Sequence, residues 1–387
     1  MSNAFQKRAI KLQERMNEEG LDFILLTHPD TVYYISAFHG DLGMDFGRPM
    51  IIALPRSERP VMITSLNEHI MAQEMTWIED IRPWLDGDQG EWAKHLQDLF
   101  KGYKNLTVGI ELYKTPPVVT EWLRKETTGI TLVDVSDILG KMRMIKSPEE
   151  IEIMRQAGQV AVAMAESAAQ AIGVGVPEYE LALSAIAGGT RKAAEFLDSE
   201  GTDRLFSPTI HNLQVIETGP DTIMCHKRNS TRIIQKGDPV NLCFCAVAQF
   251  KMFKLGFDRT WIVPPVSDKY SKTYQITLRA QQAALDAIRP GVPACDVHAA
   301  CVEVYKEAGF EPGYRTGRGI GYSFLENPQF RYDDKTLLQA GMTFCCDGGI
   351  VVGNEFGARV GDSLVVTETG HEILTQYPKD LKSLIIV

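Results

Sequence analysis

The run Ser147-Pro148-Glu149-Glu150 constrains this chain most, because it marks where a helix begins. Ser147 suits the N-cap, Pro148 sits at a first helical position where its missing N–H is harmless, and Glu150 completes a capping box. One long helix is therefore predicted from Pro148 to about Ala171, ending around Gly173 and Gly175.

That start divides two kinds of pattern. Before it, Phe5, Ala9, Leu12 and Met16 recur at helical spacing, and Phe23-Ile24-Leu25-Leu26 reads as a buried strand ended by His28-Pro29-Asp30. Apolar runs at Met50–Leu54, Val61–Thr64, Val108–Ile110 and Ile130–Val133 alternate with segments such as Asn67–Glu74 and Trp92–Phe100. Residues 1–140 thus read as an α/β N-terminal domain, a mixed sheet with helices. After the junction, helices are predicted at Pro177–Phe196, Lys269–Ile288 and Ala294–Ala308, with strands at Val240–Ala246, Leu255–Val263, Thr343–Val352 and Ser363–Val366. Residues 141–387 read as α+β. A chain of 387 residues also exceeds the roughly 250–300 at which one core stops growing, so two domains are expected.

The net charge of −10, with no Lys/Arg run longer than two residues, argues against nucleic acid or an anionic membrane as partner. Residues 1–20 mix Lys, Arg and Glu, and no stretch approaches the ~18–20 apolar residues of a membrane span, so a cytoplasmic protein without a signal segment is expected. The seven cysteines are odd in number and lack the spacing of a disulfide framework, which points to reduced thiols.

Arg143-Met144-Ile145-Lys146-Ser147-Pro148-Glu149-Glu150-Ile151, the helix opening Pro290-Gly291-Val292, and the strand starts Gly237-Asp238 and Gly341-Met342 together resemble the creatinase/prolidase family over almost the whole chain. The resemblance implies a smaller α/β domain followed by an α+β pita-bread catalytic domain. Metal-dependent members of that family hold two divalent ions with two Asp, one His and two Glu, a set suited to activating water. The corresponding positions here are Cys243, Gly256, Arg318, Asp347 and Gly361. One of five remains acidic, and Arg318 is a permanent cation at a metal position. The resemblance therefore implies neither metal nor other cofactor. A soft ion held by Cys243, Cys245, Cys345, Asp347 and the Cys225-His226 pair is an alternative, against inert packing of buried cysteines.

The pattern is most similar to the family's metal-free branch, in which creatinase hydrolyses a guanidino C–N bond with a histidine and carboxylates and clamps the substrate carboxylate with arginines. Its histidine corresponds to His226, eleven residues before Gly237. Its two glutamates correspond to Asp258, just before Arg259-Thr260, and to Asp347, each one methylene shorter. Glu326, in Glu326-Asn327-Pro328, matches a family acid that assists proton transfer, although Leu325 replaces the adjacent histidine. Phe46 and Arg48 match a Phe-Gly-Arg segment that reaches the neighbouring subunit's site in the dimer, and Arg331 is a looser match to the second clamping arginine. Creatinase also has a histidine where this chain has Gly361.

One histidine can deliver water to carbon and a proton to nitrogen in turn. Asp258 and Asp347, facing each other across a sheet, raise one another's pKa unless a cation intervenes. That cation is either a guanidinium, amidinium or ammonium group of the substrate, or Arg318 closing a vacated metal site. With Arg48 and Arg331 available for bidentate carboxylate recognition, and Arg318 and Phe46 completing the binding set, the ligand is expected to be a small zwitterion. The expectation is a homodimeric, metal-independent hydrolase of a C–N bond in a small guanidino, amidine or cyclic-amidine amino-acid-like substrate. The alternatives are a metallopeptidase of Xaa-Pro dipeptidase or aminopeptidase type with altered ligands, and a pita-bread domain that binds without catalysis.

Overall fold

A computed structural model describes residues 2–40, 48–85, 91–210, 215–243 and 249–387. The chain divides into two compact units, Met1–Met142 and Arg143–Val387.

In the first unit, helix α1 (Ser2–Glu19) buries Phe5, Ala9, Leu12 and Met16, the residues at helical spacing. The apolar runs become β1 (Phe23–Leu26), β2 (Ile51–Pro55), β3 (Val61–Ser65), β5 (Leu106–Ile110) and β6 (Ile130–Asp134), with β4 (Asp80–Trp84) added at an edge. Their order is β4-β3-β2-β1-β5-β6. β1 pairs antiparallel with β2 and parallel with β5, so the sheet is mixed. Helices α3 (His69–Met75), α4 (Glu91–Phe100), α5 (Pro117–Glu126) and α6 (Ser136–Met144) complete the alternation. One local reading changes. His28-Pro29-Asp30 starts α2 (Pro29–Ser36) as well as ending a strand, since proline is tolerated at a first helical position.

In the second unit, α7 (Pro148–Ala171) begins with the capping box, Ser147 accepting from the Glu150 N–H and the Glu150 carboxylate accepting from the Ser147 N–H. α8 (Glu178–Glu195) packs along it. A larger antiparallel sheet follows, in the order β11-β10-β12-β13-β9-β8-β7, built from β7 (Val215–Thr218), β8 (Pro239–Cys243), β9 (Asp258–Ile262), β10 (Arg315–Gly319), β11 (Glu326–Arg331), β12 (Thr343–Val352) and β13 (Phe356–Val366), with β14 (His371–Ile373) on β13. Strand alternation sorts its side chains between two faces. Phe344, Cys346, Ile350, Leu364 and Val366 pack against α9 (Asp268–Ala287) and α10 (Ala294–Glu307) in one apolar cluster. Gly348 lets that helix layer come close, because a Cβ there would lie 3.2 Å from the Thr277 carbonyl and 3.3 Å from the Tyr305 hydroxyl. The residues between, Cys345 and Asp347, belong to the opposite face, which carries the polar cluster described below.

α7 also approaches the segment after β14 so closely that a Cβ on Gly158 would overlap the Leu374 carbonyl oxygen. Backbone cannot yield as a side-chain tip can. Gly158→Ala is therefore expected to lower stability by about 1–3 kcal/mol, the range for overpacking, read as a lower urea midpoint with an unchanged m-value.

Candidate active site

Register assembles the site. Asp347 on β12 pairs with Gly361 on β13, Gly361 with Asp258 on β9, and Asp258 with Cys243 on β8, a row across four strands. Arg318 on β10 pairs with Cys345. The two carboxylates predicted to face each other do so over Gly361. A Cβ at that glycine would lie 2.6 Å from Asp258 Oδ2 and 2.9 Å from Asp347 Oδ1, so the carboxylate oxygens are no farther apart than the sum of those distances.

Arg318 supplies the cation. Its guanidinium is ion-paired with Asp347, is almost fully buried, and lies 4.0 Å from the centroid of the Phe324 ring. Asp347 Oδ1 also accepts from the Cys345 thiol at 2.7 Å. Burial first, and the neighbouring Asp347 second, keep the Cys345 thiol protonated well above its ordinary range. Among the described residues Asp258 forms no ion pair, and its Oδ1 has no hydrogen-bond partner. Burial, then repulsion from Asp347, push its carboxyl up to about 6, against partial relief from the Cys243 thiol, Arg359 and Arg318. One acid is neutralised while its neighbour is poised near neutral pH.

This arrangement does not fit a two-metal centre. Gly256 and Gly361 contribute no donor, and the space beside each is filled. A Cβ at Gly256 would overlap Cys345 Sγ and stand 3.0 Å from Arg318 Nη2. A cation already occupies Asp347. Among the described residues no group of three or more His, Cys, Asp or Glu is placed to hold an ion. Cys245 lies outside the described residues.

The other predicted residues are distributed as follows. His226 sits on an exposed turn and makes no hydrogen bond or ion pair among the described residues; its link to the sheet is through its neighbour, whose Cys225 carbonyl accepts from Arg359 at 3.0 Å. Glu326 is engaged on both carboxylate oxygens. Its Oε2 holds Lys146 at 2.6 Å and its Oε1 accepts the Ser323 N–H at 2.8 Å, both partners buried. A carboxylate engaged on both oxygens anchors the glycine-rich turn. Gly321 fits this anchor, since a Cβ there would lie 2.5 Å from Lys146 Cε. Arg331 is also changed: its guanidinium is paired with Asp333, both half-exposed, on the edge strand β11. Arg48 belongs to the first unit and is partly buried, and Phe46 lies outside the described residues.

Sequence reasoning missed Glu217, Asn241 and Arg359. Glu217 is fully buried, accepts from Asn241 Nδ2 at 2.5 Å and stands 4.0 Å from Arg359 Nη1. Burial pushes its carboxyl up to about 7 despite Arg359 and Asn241. The available signal was a charged residue and an amide within otherwise apolar strands, Val215-Ile216-Glu217 and Val240-Asn241-Leu242.

Residues 152–368 match the metallopeptidase family M24, and residues 8–145 match the creatinase/prolidase N-terminal domain. The chain belongs to the creatinase/prolidase family. Hydrolytic enzymes are among its members. An agropine synthesis cyclase of Rhizobium rhizogenes is 30% identical over 395 residues, covering 96% of each chain. A creatinase of a Bacillus species is 25% identical over 387 residues, covering 96% of this chain and 90% of its own. Xaa-Pro dipeptidases are also among the relatives. The prolidase of Pyrococcus horikoshii has the same fold, with a TM-score of 0.83 at 25% identity over 97% of this chain and 99% of its own. The pita-bread family is thus common to peptidases and to enzymes of other chemistry, and the Arg318–Asp347 pair is what this member sets at its centre. No helix among the described residues is long and apolar enough to cross a membrane.

Proposed function

We propose that this member of the family is a metal-independent acid–base hydrolase of a C–N bond in a small guanidino, amidine or cyclic-amidine acid. The observation that carries the reading is the unequal pair of carboxylates: Asp347 neutralised by Arg318, and Asp258 buried beside it with a pKa near 6. A carboxyl group poised there can take a proton from attacking water and return it to a departing nitrogen within the working range of a general acid–base. The C–O bond forms, the C–N bond breaks, and the proton passes from water to the leaving amine through Asp258 and His226. Arg318, fixed by Phe324 and Asp347, presents an oriented positive field where negative charge develops on the tetrahedral carbon's substituents.

The relationship to a protein named as a cyclase supports a second reading, ring closure or opening of a small molecule. Such a step can use the same proton shuttle and requires no water-activating ion.

The test is elemental analysis of protein purified without chelator, followed by turnover of guanidino, cyclic-amidine and lactone acids with and without EDTA. The expected result is substoichiometric metal and turnover indifferent to EDTA. Stoichiometric manganese, cobalt or zinc with EDTA-sensitive peptidase activity would overturn the reading. Ring opening of a lactone without amidine hydrolysis would select the second reading.

A further inference from the structure

The least expected group in the second unit is Glu217. It is fully buried on β7, yet among the described residues it makes no hydrogen bond to its cation. Its Oε2 is held by Asn241 at 2.5 Å, while its Oε1 faces Arg359 Nη1 at 4.0 Å. An ion pair that long, buried, gains too little to offset desolvation, and an apolar pair in its place would serve stability as well or better. Stability does not explain it.

Arg359 shows what the acid does. The same Nη1 donates to the Cys225 carbonyl at 3.0 Å, one residue before His226. The backbone of Arg359 is fixed independently, its N–H donating to Thr260 Oγ1 at 2.9 Å. With its root anchored, the guanidinium is left to be oriented by the groups around it, and Glu217 Oε1 is the carboxylate oxygen that faces its Nη1. Both sides of the turn are pinned elsewhere. Glu178, fully buried, accepts from Thr218 Oγ1 at 2.8 Å, from Lys227 Nζ at 2.7 Å and from the Ser230 N–H at 2.9 Å, and Thr222 Oγ1 accepts the Gly357 N–H at 2.8 Å. Between these anchors the carbonyl of Cys225 is reached by Arg359 from the sheet.

We propose that Glu217 is a positioning residue that directs the Arg359 guanidinium onto the Cys225 carbonyl and thereby sets the placement of His226 relative to the carboxylate face. This role rests on the reading above in which His226 carries a proton. It gives the strand β7 a part in catalysis without contact to substrate, and it explains a buried acid that packing alone leaves unaccounted for. Misplacing a proton carrier by an ångström costs on the order of a hundredfold in rate.

The experiment is a long-range ¹H–¹⁵N correlation of the histidine rings in the full chain, with the His226 signal assigned by its loss in His226→Gln. In Glu217→Gln and in Arg359→Gln the His226 signals are expected to shift and broaden, while those of His298, buried against Thr316, stay in place and report an intact fold. Arg359→Lys, which keeps the charge and a donor, should restore part of the wild-type signal. With a substrate in hand, Glu217→Gln should lose roughly tenfold to a hundredfold in kcat at unchanged KM. His226 signals identical in wild type, Glu217→Gln and Arg359→Gln would overturn the proposal, and either variant alone suffices if the other does not fold. Full activity of His226→Gln would instead overturn the catalytic reading of His226, leaving the ring signals to decide the positioning.

Discussion

Replacing Arg259 with Met is expected to destabilise the second domain by about 3–5 kcal/mol, the usual cost of stripping one partner from a buried ion pair. Arg259 and Asp362 are almost fully buried and meet at 2.6 Å on the helix side of the sheet. The guanidinium also donates to the carbonyls of Asp258 and Gly361, both at 2.8 Å, and to those of Tyr377 and Pro378, both at 3.0 Å. It thus ties β9 to β13 where Asp258 pairs with Gly361, so the loss reaches the carboxylate face. Burial acts to raise the Asp362 carboxyl, but Arg259, Lys379 and Gln281 outweigh it and hold it below the ordinary carboxylate range. A carboxyl lowered in the folded state contributes stability that is present above its unfolded value of about 3.9 and is lost as pH falls through the folded one. The deficit of Arg259→Met should therefore be full at pH 7 and shrink below about pH 4. Urea titrations at the two pH values measure it. Equal deficits at both would show that the pair is not the source. Because replacing both partners removes the unpaired charge, Arg259→Met with Asp362→Leu should recover part of the loss.

Asp258→Asn is expected to do two opposite things, lowering turnover by about 10²–10⁴-fold, as loss of a general acid–base does, while stabilising the protein at alkaline pH. The second effect follows from the sign of the shift. A carboxyl raised from 3.8 to about 6 in the folded state favours the fold below the unfolded value, and that contribution disappears as pH rises through about 6. Above that, the ionised carboxylate is strained by burial and by Asp347. At about 1.4 kcal/mol per pH unit the strain is of the order of 3 kcal/mol. An uncharged, near-isosteric Asn carries none of it. Thermal melts should place Asp258→Asn above wild type at pH 8 and level with it near pH 4. A variant that stays active would remove Asp258 from the mechanism, and an advantage equal at both pH values would show that its carboxyl is not raised in the folded state. Gain of stability with loss of activity is the mark of a residue kept for chemistry.

The predicted elements that appear in the structure share a short-range cause. The Ser147–Glu150 capping box spans one helical turn, and the alternation of Phe344, Cys345, Cys346 and Asp347 sorts itself between two faces through the pleat alone. Strands β10 and β11 had no such signal, because Gly317-Arg318-Gly319 offers no apolar alternation; β12 recruits it by backbone pairing. Within the site, identity was legible and engagement was not. Glu326 is recognisable as an acid after the glycine-rich turn, but its partner Lys146 lies 180 residues away and only the fold brings it near. Glu217 and Arg359 carried no motif, and they matter because β7 and β13 bring them within reach of one turn.

By itself the sequence determined the identities of Gly256, Arg318 and Gly361, the residues that the family resemblance sets where metal-dependent members hold ligands, and none of them is a carboxylate or an imidazole. Residue identity needs no geometry to be read. Only the tertiary structure decided that Arg318 neutralises Asp347 and leaves Asp258 as the acid poised near neutral pH. The energy of a charge depends on its burial and on which opposite charge lies within a few ångströms, and both are set by the registers that join β10, β12, β13 and β9 into one sheet.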